Sequence, residues 1–209
     1  MNYQEIQEKE GSFPILNLYG DPGSGKTTAA ECALSLVGQH KEGMMVEVSV
    51  SAAYERLKLA GGLLHCLDDP KRDENLDEFL KGFYNAKARV VRGRESTGFN
   101  SQKPHSPLMV TSNHACGENS AATQSRLIRI FFPKVEDGER DAFRELPGLQ
   151  AIASGCFTQL IQLGYPATEV YALEQELLPH LPNAHIRIAK SLALLLCYSI
   201  KVAELAGIP

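Results

Sequence analysis

No stretch of this sequence is apolar for long enough to cross a bilayer. The longest apolar run, residues 192–197, falls far short of a span, and Lys190 and Lys201 flank the wider stretch. No charged-then-apolar leader opens the chain. Cysteine pairs at metal-ligand spacing are missing too. Cys32, Cys66, Cys116, Cys156 and Cys197 stand far apart and are odd in number, so free thiols in a reducing compartment are expected. An excess of basic charge is also lacking. The net charge is −4, which excludes a uniformly basic nucleic-acid coat and leaves room for a local basic patch. Internal repeats and low-complexity tracts are absent, and no Asn-Lys-x-Asp guanine reader occurs. What remains is 44 % apolar and 22 % charged over 209 residues. That is the composition of one globular domain, or of one domain with a small appendage, and it excludes collagen-like, coiled-coil and wholly disordered classes. A soluble intracellular protein, without a membrane partner, is the expectation.

Along the chain, residues 1–12 are polar, with Glu5, Glu8, Lys9 and Glu10, and read as a frayed tail. Residues 13–19 are a short apolar run ending in glycine, which predicts a buried strand. Residues 29–37 predict a helix stopped by Gly38, and 44–50 a second strand. Ser51 is placed to cap a helix reaching Ala60. Residues 63–67 predict a third strand closed by Asp68-Asp69-Pro70, 76–84 a helix, and 88–91 a strand before a turn bracketed by Gly93 and Gly98. Residues 108–111 and 127–132 are further strand candidates. After Pro133 the stretches 149–163, 168–178 and 184–205 read as helices, broken by Pro147, Pro166, Pro179 and Pro182. Alternating strands and helices imply an α/β fold, a mainly parallel sheet with helices on both faces. The expected organisation is a core over 13–135 and a C-terminal helical subdomain, or cap, over 136–209.

One motif carries specific chemistry. Gly20-Asp21-Pro22-Gly23-Ser24-Gly25-Lys26-Thr27 fits G-x-x-x-x-G-K-[ST] in full. Gly20, Gly23 and Gly25 let the backbone turn tightly, so that successive N–H groups and the following helix N-terminus form an anion hole. Lys26 is placed to reach the β and γ phosphates and Thr27 to ligate Mg²⁺, and Thr28 completes the candidate nucleotide contacts. The plainer alternative is a glycine-rich turn beside an exposed lysine. The predicted strand before the motif and helix after it are the context that phosphate binding requires.

Such a loop needs a carboxylate at the end of a neighbouring strand. Asp68 is the candidate metal carboxylate and Asp69 the candidate base, against the alternative of a simple Asp-Asp-Pro turn. His65, inside the same run, reads as a satisfied core histidine rather than a ligand. Asn113 ends the run from Pro107 and is a candidate for binding the attacking water or the γ-phosphate; the alternative is an asparagine that starts a loop.

These segments occur in the order Gly-Asp-Pro-Gly-Ser-Gly-Lys-Thr, Leu-Asp-Asp, Pro-Leu-Met-Val-Thr-Ser-Asn and Ser-Arg-Leu-Ile-Arg-Ile-Phe-Phe-Pro. Together they resemble the A, B and C motifs and the following strand of superfamily 3 helicases, of papillomavirus type and of phage and plasmid primase-helicase type, over residues 13–133. The resemblance implies an AAA+-type P-loop core with a five-stranded parallel sheet, working as a hexameric ring on DNA, with ATP and Mg²⁺ as cofactors. It implies that residues 20–27 bind ATP, that Asp68 and Asp69 serve Mg²⁺ and water activation, and that Asn113 is a polar sensor. It also implies that Arg126 is an arginine finger supplied to a neighbouring subunit. The alternative for Arg126 is a surface arginine beside a strand, and Arg129 is a weaker rival.

Residues 81–103 hold Lys81, Lys87, Arg89, Arg92, Arg94 and Lys103 against the single acid Glu95, a local excess inside an acidic chain. In the resembling family a hairpin at this place grips DNA phosphates, which makes Arg92 and Arg94 candidate DNA contacts. The alternative is a solvated basic loop. The leading reading is an ATP-hydrolysing helicase motor domain. Its rivals are a weakly hydrolysing nucleotide switch or assembly module and, last, a small-molecule kinase. Such kinases close an arginine-rich lid over the phosphates, and the C-terminal helices here offer chiefly Arg187.

Overall fold

The computed structural model describes residues 3–71, 74–87, 89–92, 99–134, 145–182 and 184–208. In chain order the elements are α1 (Tyr3–Glu10), β1 (Ile15–Gly20), α2 (Lys26–Leu36), β2 (Met44–Val46), α3 (Val50–Leu59) and β3 (His65–Asp68). They continue with α4 (Glu74–Tyr84), β4 (Arg89–Arg92), β5 (Phe99–Gln102), β6 (Leu108–Ser112), α5 (Ala121–Gln124) and β7 (Leu127–Phe132). The C-terminal part holds α6 (Leu146–Ala153), α7 (Phe157–Gln162), α8 (Ala167–Leu177) and α9 (Ile186–Leu205).

Five strands form one sheet in the order β2-β3-β6-β1-β7, and every neighbouring pair is parallel. This is the α/β fold that the alternating pattern predicts. Parallel strands need cover on both faces, and the period-two alternation supplies it. Leu67, Leu108, Val110 and Ile15 face one way, onto Tyr54, Leu57, Phe79, Leu80 and Phe83 of α3 and α4. Cys66, Met109 and Leu18 face the other way, onto Ala30 and Leu34 of α2. Every position of β6 is buried, as suits the middle strand, whereas the edge strand β7 leaves Phe131 58 % exposed.

The stretch read as a frayed tail is corrected by α1. Its sequence offers few apolar residues, but Tyr3 and Ile6 are buried. Ile6 packs with Val170 of α8 and Ala193, Leu194 and Cys197 of α9. Glu10 pairs with Lys190 and accepts from the Tyr165 hydroxyl. A short helix of this kind draws its stability from docking rather than from propensity.

Several boundaries also move. β2 ends at Val46, where its pairing with Asp68 ends, and Glu47 turns left-handed. The cap of α3 is therefore Ser49, which accepts from the Ala52 N–H at 3.2 Å, and not Ser51. Pro147 does not break a helix but lies in the first turn of α6, where its missing N–H costs nothing. The helix expected over 149–163 divides at a 3-10 turn, Ser154–Cys156. β4 and β5 form an antiparallel pair, with Arg89 opposite Gln102 and Arg92 opposite Phe99. Cys32, Cys66, Cys156 and Cys197 are free thiols. Among the described residues, no helix is long and apolar enough to cross a membrane.

Candidate functional site

β1 delivers the glycine-rich loop to one end of the sheet. Gly20 stands where a Cβ would lie 2.1 Å from the Phe132 carbonyl oxygen, so the close pairing with β7 admits no side chain. Gly25 is left-handed (φ 88°), and α2 starts directly after it. That places Lys26, Thr27 and Thr28 in the helix's first turn, three residues earlier than the apolar pattern suggests. α2 carries no acidic side chain of its own in this turn, which leaves the positive end of the helix dipole to groups brought from elsewhere in the fold. Asp21, Pro22 and Gly23 are exposed, and Ser24 is buried.

Lys26 is 7 % exposed, and its ammonium turns inward. It donates to the carbonyls of Gly20 and Asp21, both at 2.8 Å, and to Ser24 Oγ at 3.4 Å and Asn113 Oδ1 at 3.5 Å. Lys26 thus joins the loop to the end of β6. The Thr27 hydroxyl donates to Asp68 Oδ1 at 3.3 Å, joining α2 to the end of β3. Asn113 Nδ2 donates to Asp69 Oδ2 at 3.2 Å. Five of the predicted residues therefore gather at three strand ends in two hydrogen-bonded sets, Lys26–Asn113–Asp69 and Thr27–Asp68, which Thr111 joins by bonding both Asp68 and the Asp69 N–H. Beneath Asp68, burial pushes the Cys66 thiol up to about 12, so it stays neutral. Among the described residues no group of three His, Cys, Asp or Glu side chains is placed to hold a metal ion.

His65 lies at the far end of β3. Its Nδ1 is 3.0 Å from the Leu63 carbonyl and 3.4 Å from Ser106 Oγ, and burial lowers its pKa. It is a satisfied core residue, as expected.

Two polar residues that the sequence reading passes over frame the site. Asn17, fully buried in β1, donates to the Val110 carbonyl at 3.2 Å and to Ser112 Oγ at 2.9 Å, and accepts the Cys116 N–H at 2.8 Å. Ser112 Oγ donates to the His114 carbonyl at 2.6 Å. The turn that carries Asn113 is thereby tied down at both ends. Thr111, also buried, bonds Asp68. The available signal was the polar residue inside an apolar run: Asn17 between Leu16 and Leu18, and Thr111 after Val110.

Arg126 is not part of this group. Its carbonyl accepts from the Ile15 N–H, and Ile15 pairs with Leu127 while Gly20 pairs with Phe132. Arg126 thus lies at the opposite end of β1 from the loop, about 16 Å along the strand at ordinary rise. Its guanidinium stacks over Tyr84 at 5.6 Å and donates to the Ala122 carbonyl, and its buried Nε has no partner among the described residues. Burial, and then Arg187 nearby, lower its pKa from the ordinary value. Arg129 is exposed on β7. Arg92 ends β4, and Arg94 lies outside the described residues.

On the far side of Asp68 and Asp69 a cleft of about 1080 Å³ opens between α3 and α4, flanked by Glu47, Tyr54 and Phe79. The glycine-rich loop takes no part in it.

No protein-family model matches the chain, and no curated protein matches it. Among solved structures it is similar to the A-form apo structure of the NrS-1 C-terminal region, at 14 % identity and a TM-score of 0.48 over 75 % of this chain and 40 % of that one. It is also similar to the JCV helicase bound to N-(4-(2-(thiazolo[5,4-c]pyridin-2-yl)phenoxy)phenyl)acetamide, at 14 % identity and a TM-score of 0.48 over 88 % of this chain and 60 % of that one. The alignments thus span less than two thirds of either structure's own length.

Proposed function

We propose that the chain is the ATP-binding and ATP-hydrolysing motor domain of a superfamily 3-like DNA helicase, of replication or primase-helicase type. One observation carries this reading: Lys26, Thr27, Asp68, Asp69 and Asn113 meet at the ends of β1, β3 and β6, with Lys26 linked through Asn113 to Asp69 and Thr27 bonded to Asp68. A glycine-rich turn by chance, an Asp-Asp-Pro turn by chance and a loop asparagine by chance have no reason to converge.

In this reading the loop over 20–27, with Thr28, holds the triphosphate through backbone N–H groups and the α2 N-terminus. Lys26 exchanges its bonds to the loop carbonyls for the phosphate oxygens. Mg²⁺ fits the donor set, since Thr27 and Asp68 are hard oxygen ligands brought to hydrogen-bond distance, and this cation is ordinarily held by one or two carboxylates plus phosphate oxygens. When bound, it neutralises charge that spreads over the phosphate oxygens. Asp69, exposed and held by Asn113, accepts the proton of the attacking water. Asn113 presents one amide end to Lys26 and the other to Asp69, so a change at the phosphates is felt at the base.

Arg126 acts on a neighbouring subunit's ATP in a homo-oligomeric ring, since about 16 Å of strand separates it from its own loop. Arg92, at the end of β4, and Arg94, which follows it in the sequence, hold the DNA backbone.

The deciding experiment measures ATP turnover by the purified chain, with and without Mg²⁺ and single-stranded DNA, over a range of protein concentration. Mg²⁺-dependent turnover stimulated by DNA is the expected result. Nucleotide binding without turnover under any of these conditions would return the chain to a nucleotide switch.

A further inference from the structure

Thr111 is 1 % exposed in β6 and bonds both acidic residues, Asp68 through its carboxylate and Asp69 through its backbone N–H. Its Oγ1 donates to Asp68 Oδ1 at 2.5 Å. The Asp69 N–H is shared between the Thr111 carbonyl at 3.0 Å and the same Oγ1 at 3.4 Å. A hydroxyl has one proton. Given to Asp68, it leaves the lone pairs free to accept from Asp69, which is the arrangement found.

Register explains why this residue holds the post. Asp68 pairs with Thr111 across β3 and β6. Met109, Thr111 and Asn113 share the α2 side of the strand by the period of two, so Thr111 shares a face with the asparagine that meets Lys26. Asp68 Oδ1 thus receives two hydroxyls, Thr27 from the helix and Thr111 from the sheet. The two differ. Thr27 is exposed and is itself a prospective cation ligand, whereas Thr111 is buried and held in place by the packing of the central strand. When Thr27 turns to a cation, the bond from Thr111 remains.

We propose that Thr111 is a positioning residue for the divalent cation of the nucleotide complex: its hydroxyl fixes the rotamer of Asp68, and its carbonyl holds the bend at Asp69. This rests on the ATPase reading above. The competing account is that Thr111 merely fills a buried strand position, with its hydroxyl satisfied by a nearby oxygen.

The test uses the full chain and compares the parent with Thr111→Val, Thr111→Ala and Thr111→Ser. Valine keeps the β-branched shape and puts a methyl against Asp68. Alanine removes the hydroxyl without that methyl and serves if the valine protein does not fold. Serine keeps the hydroxyl. Two readouts are taken: Mg²⁺ titration of fluorescent ADP binding, and Mg²⁺ dependence of ATP turnover. Loss of the hydroxyl is expected to raise the Mg²⁺ needed for half-saturation in both by roughly 10- to 100-fold, the usual effect of losing an outer-shell partner. ADP binding in EDTA is expected to be unchanged, and Thr111→Ser to titrate like the parent. An unchanged Mg²⁺ midpoint in Thr111→Val or Thr111→Ala, with a Mg²⁺-dependent parent, overturns the proposal. So does a serine protein as impaired as the hydroxyl-less ones, because packing would then be the cause. If the parent itself neither binds nor hydrolyses nucleotide, the ATPase reading has failed and this inference falls with it.

Discussion

Asn113 reaches Asp69 because Asp69 leaves the strand. In a regular strand Asp68 and Asp69 point to opposite faces. Asp69 has φ 44°, a left-handed conformation that non-glycine residues seldom adopt, and this turns its carboxylate back to accept from Asn113 Nδ2 at 3.2 Å. Asp68 keeps its place opposite Thr111. Two adjacent carboxylates are thereby presented to one strand end. The strain at Asp69 is held by its N–H bond to the Thr111 carbonyl.

Binding and hydrolysis are expected to separate by residue. Lys26→Ala removes the ammonium that bridges the loop and Asn113, and nucleotide affinity should be lost. Asp69→Asn is a cleaner change than most, because asparagine tolerates the left-handed backbone. It should bind ATP like the parent and lose turnover by roughly 10²- to 10⁴-fold, since an amide takes no proton from water. Equilibrium binding and steady-state hydrolysis on the same preparations check this. Turnover at the parental rate in Asp69→Asn would remove Asp69 from the role of base.

Arg126 is expected to act in trans. Hydrolysis should rise more steeply than linearly with protein concentration. A mixture of Arg126→Ala and Lys26→Ala proteins should recover activity that neither has alone, each supplying the half the other lacks. The control is thermal melting, since Arg126 also stacks on Tyr84. Turnover strictly proportional to concentration, with no recovery on mixing, would return Arg126 to a structural role.

The paired change Arg92→Ala, Arg94→Ala should weaken DNA binding and abolish DNA stimulation while basal ATPase persists. Contacts to phosphate release counterions, so each one lost should lower the log–log salt slope by roughly 0.7 for single strands. Binding isotherms at several salt concentrations give the slope. Unchanged DNA affinity would make the basic segment a solvated loop.

Glu10 should contribute to stability in a pH-dependent way. Burial pushes its carboxyl up, but the bonds from Lys190 and Tyr165 outweigh this and hold its pKa below the ordinary value. A pKa depressed on folding adds stability that is fully present above the unfolded carboxylate value and is lost as pH falls through the folded one. Glu10→Gln should therefore lower the melting temperature at neutral pH, by an amount corresponding to about 1 kcal/mol for a partly exposed pair. The difference between variant and parent should vanish in acid. Parallel melts at neutral and low pH check the sign.

The phosphate-type loop, the acidic pair and the asparagine are legible in the sequence because each ends an apolar run, and a strand end is a local feature. Gly20-Asp21-Pro22-Gly23-Ser24-Gly25-Lys26-Thr27 needs no neighbour to be recognised. β7 is read to the residue, since Leu127–Phe132 lies between a basic residue and Pro133. The α/β class follows from the same local alternation. Lateral order does not. That β6 lies between β3 and β1, so that Asn113 meets both Lys26 and Asp69, depends on burial between segments far apart in the chain. Asn17 and Thr111 owe their roles to that register, because a polar side chain inside an apolar run gives no sign of its partner until the neighbouring strand is in place. The helix over Tyr3–Glu10 is the same lesson reversed. Its own sequence is too short and too polar to hold a helix in water, and docking against α8 and α9 decides it. Propensity and periodicity act over a few residues and set the elements. The hydrophobic burial that orders those elements acts between distant ones, so the meeting of side chains belongs to the tertiary structure.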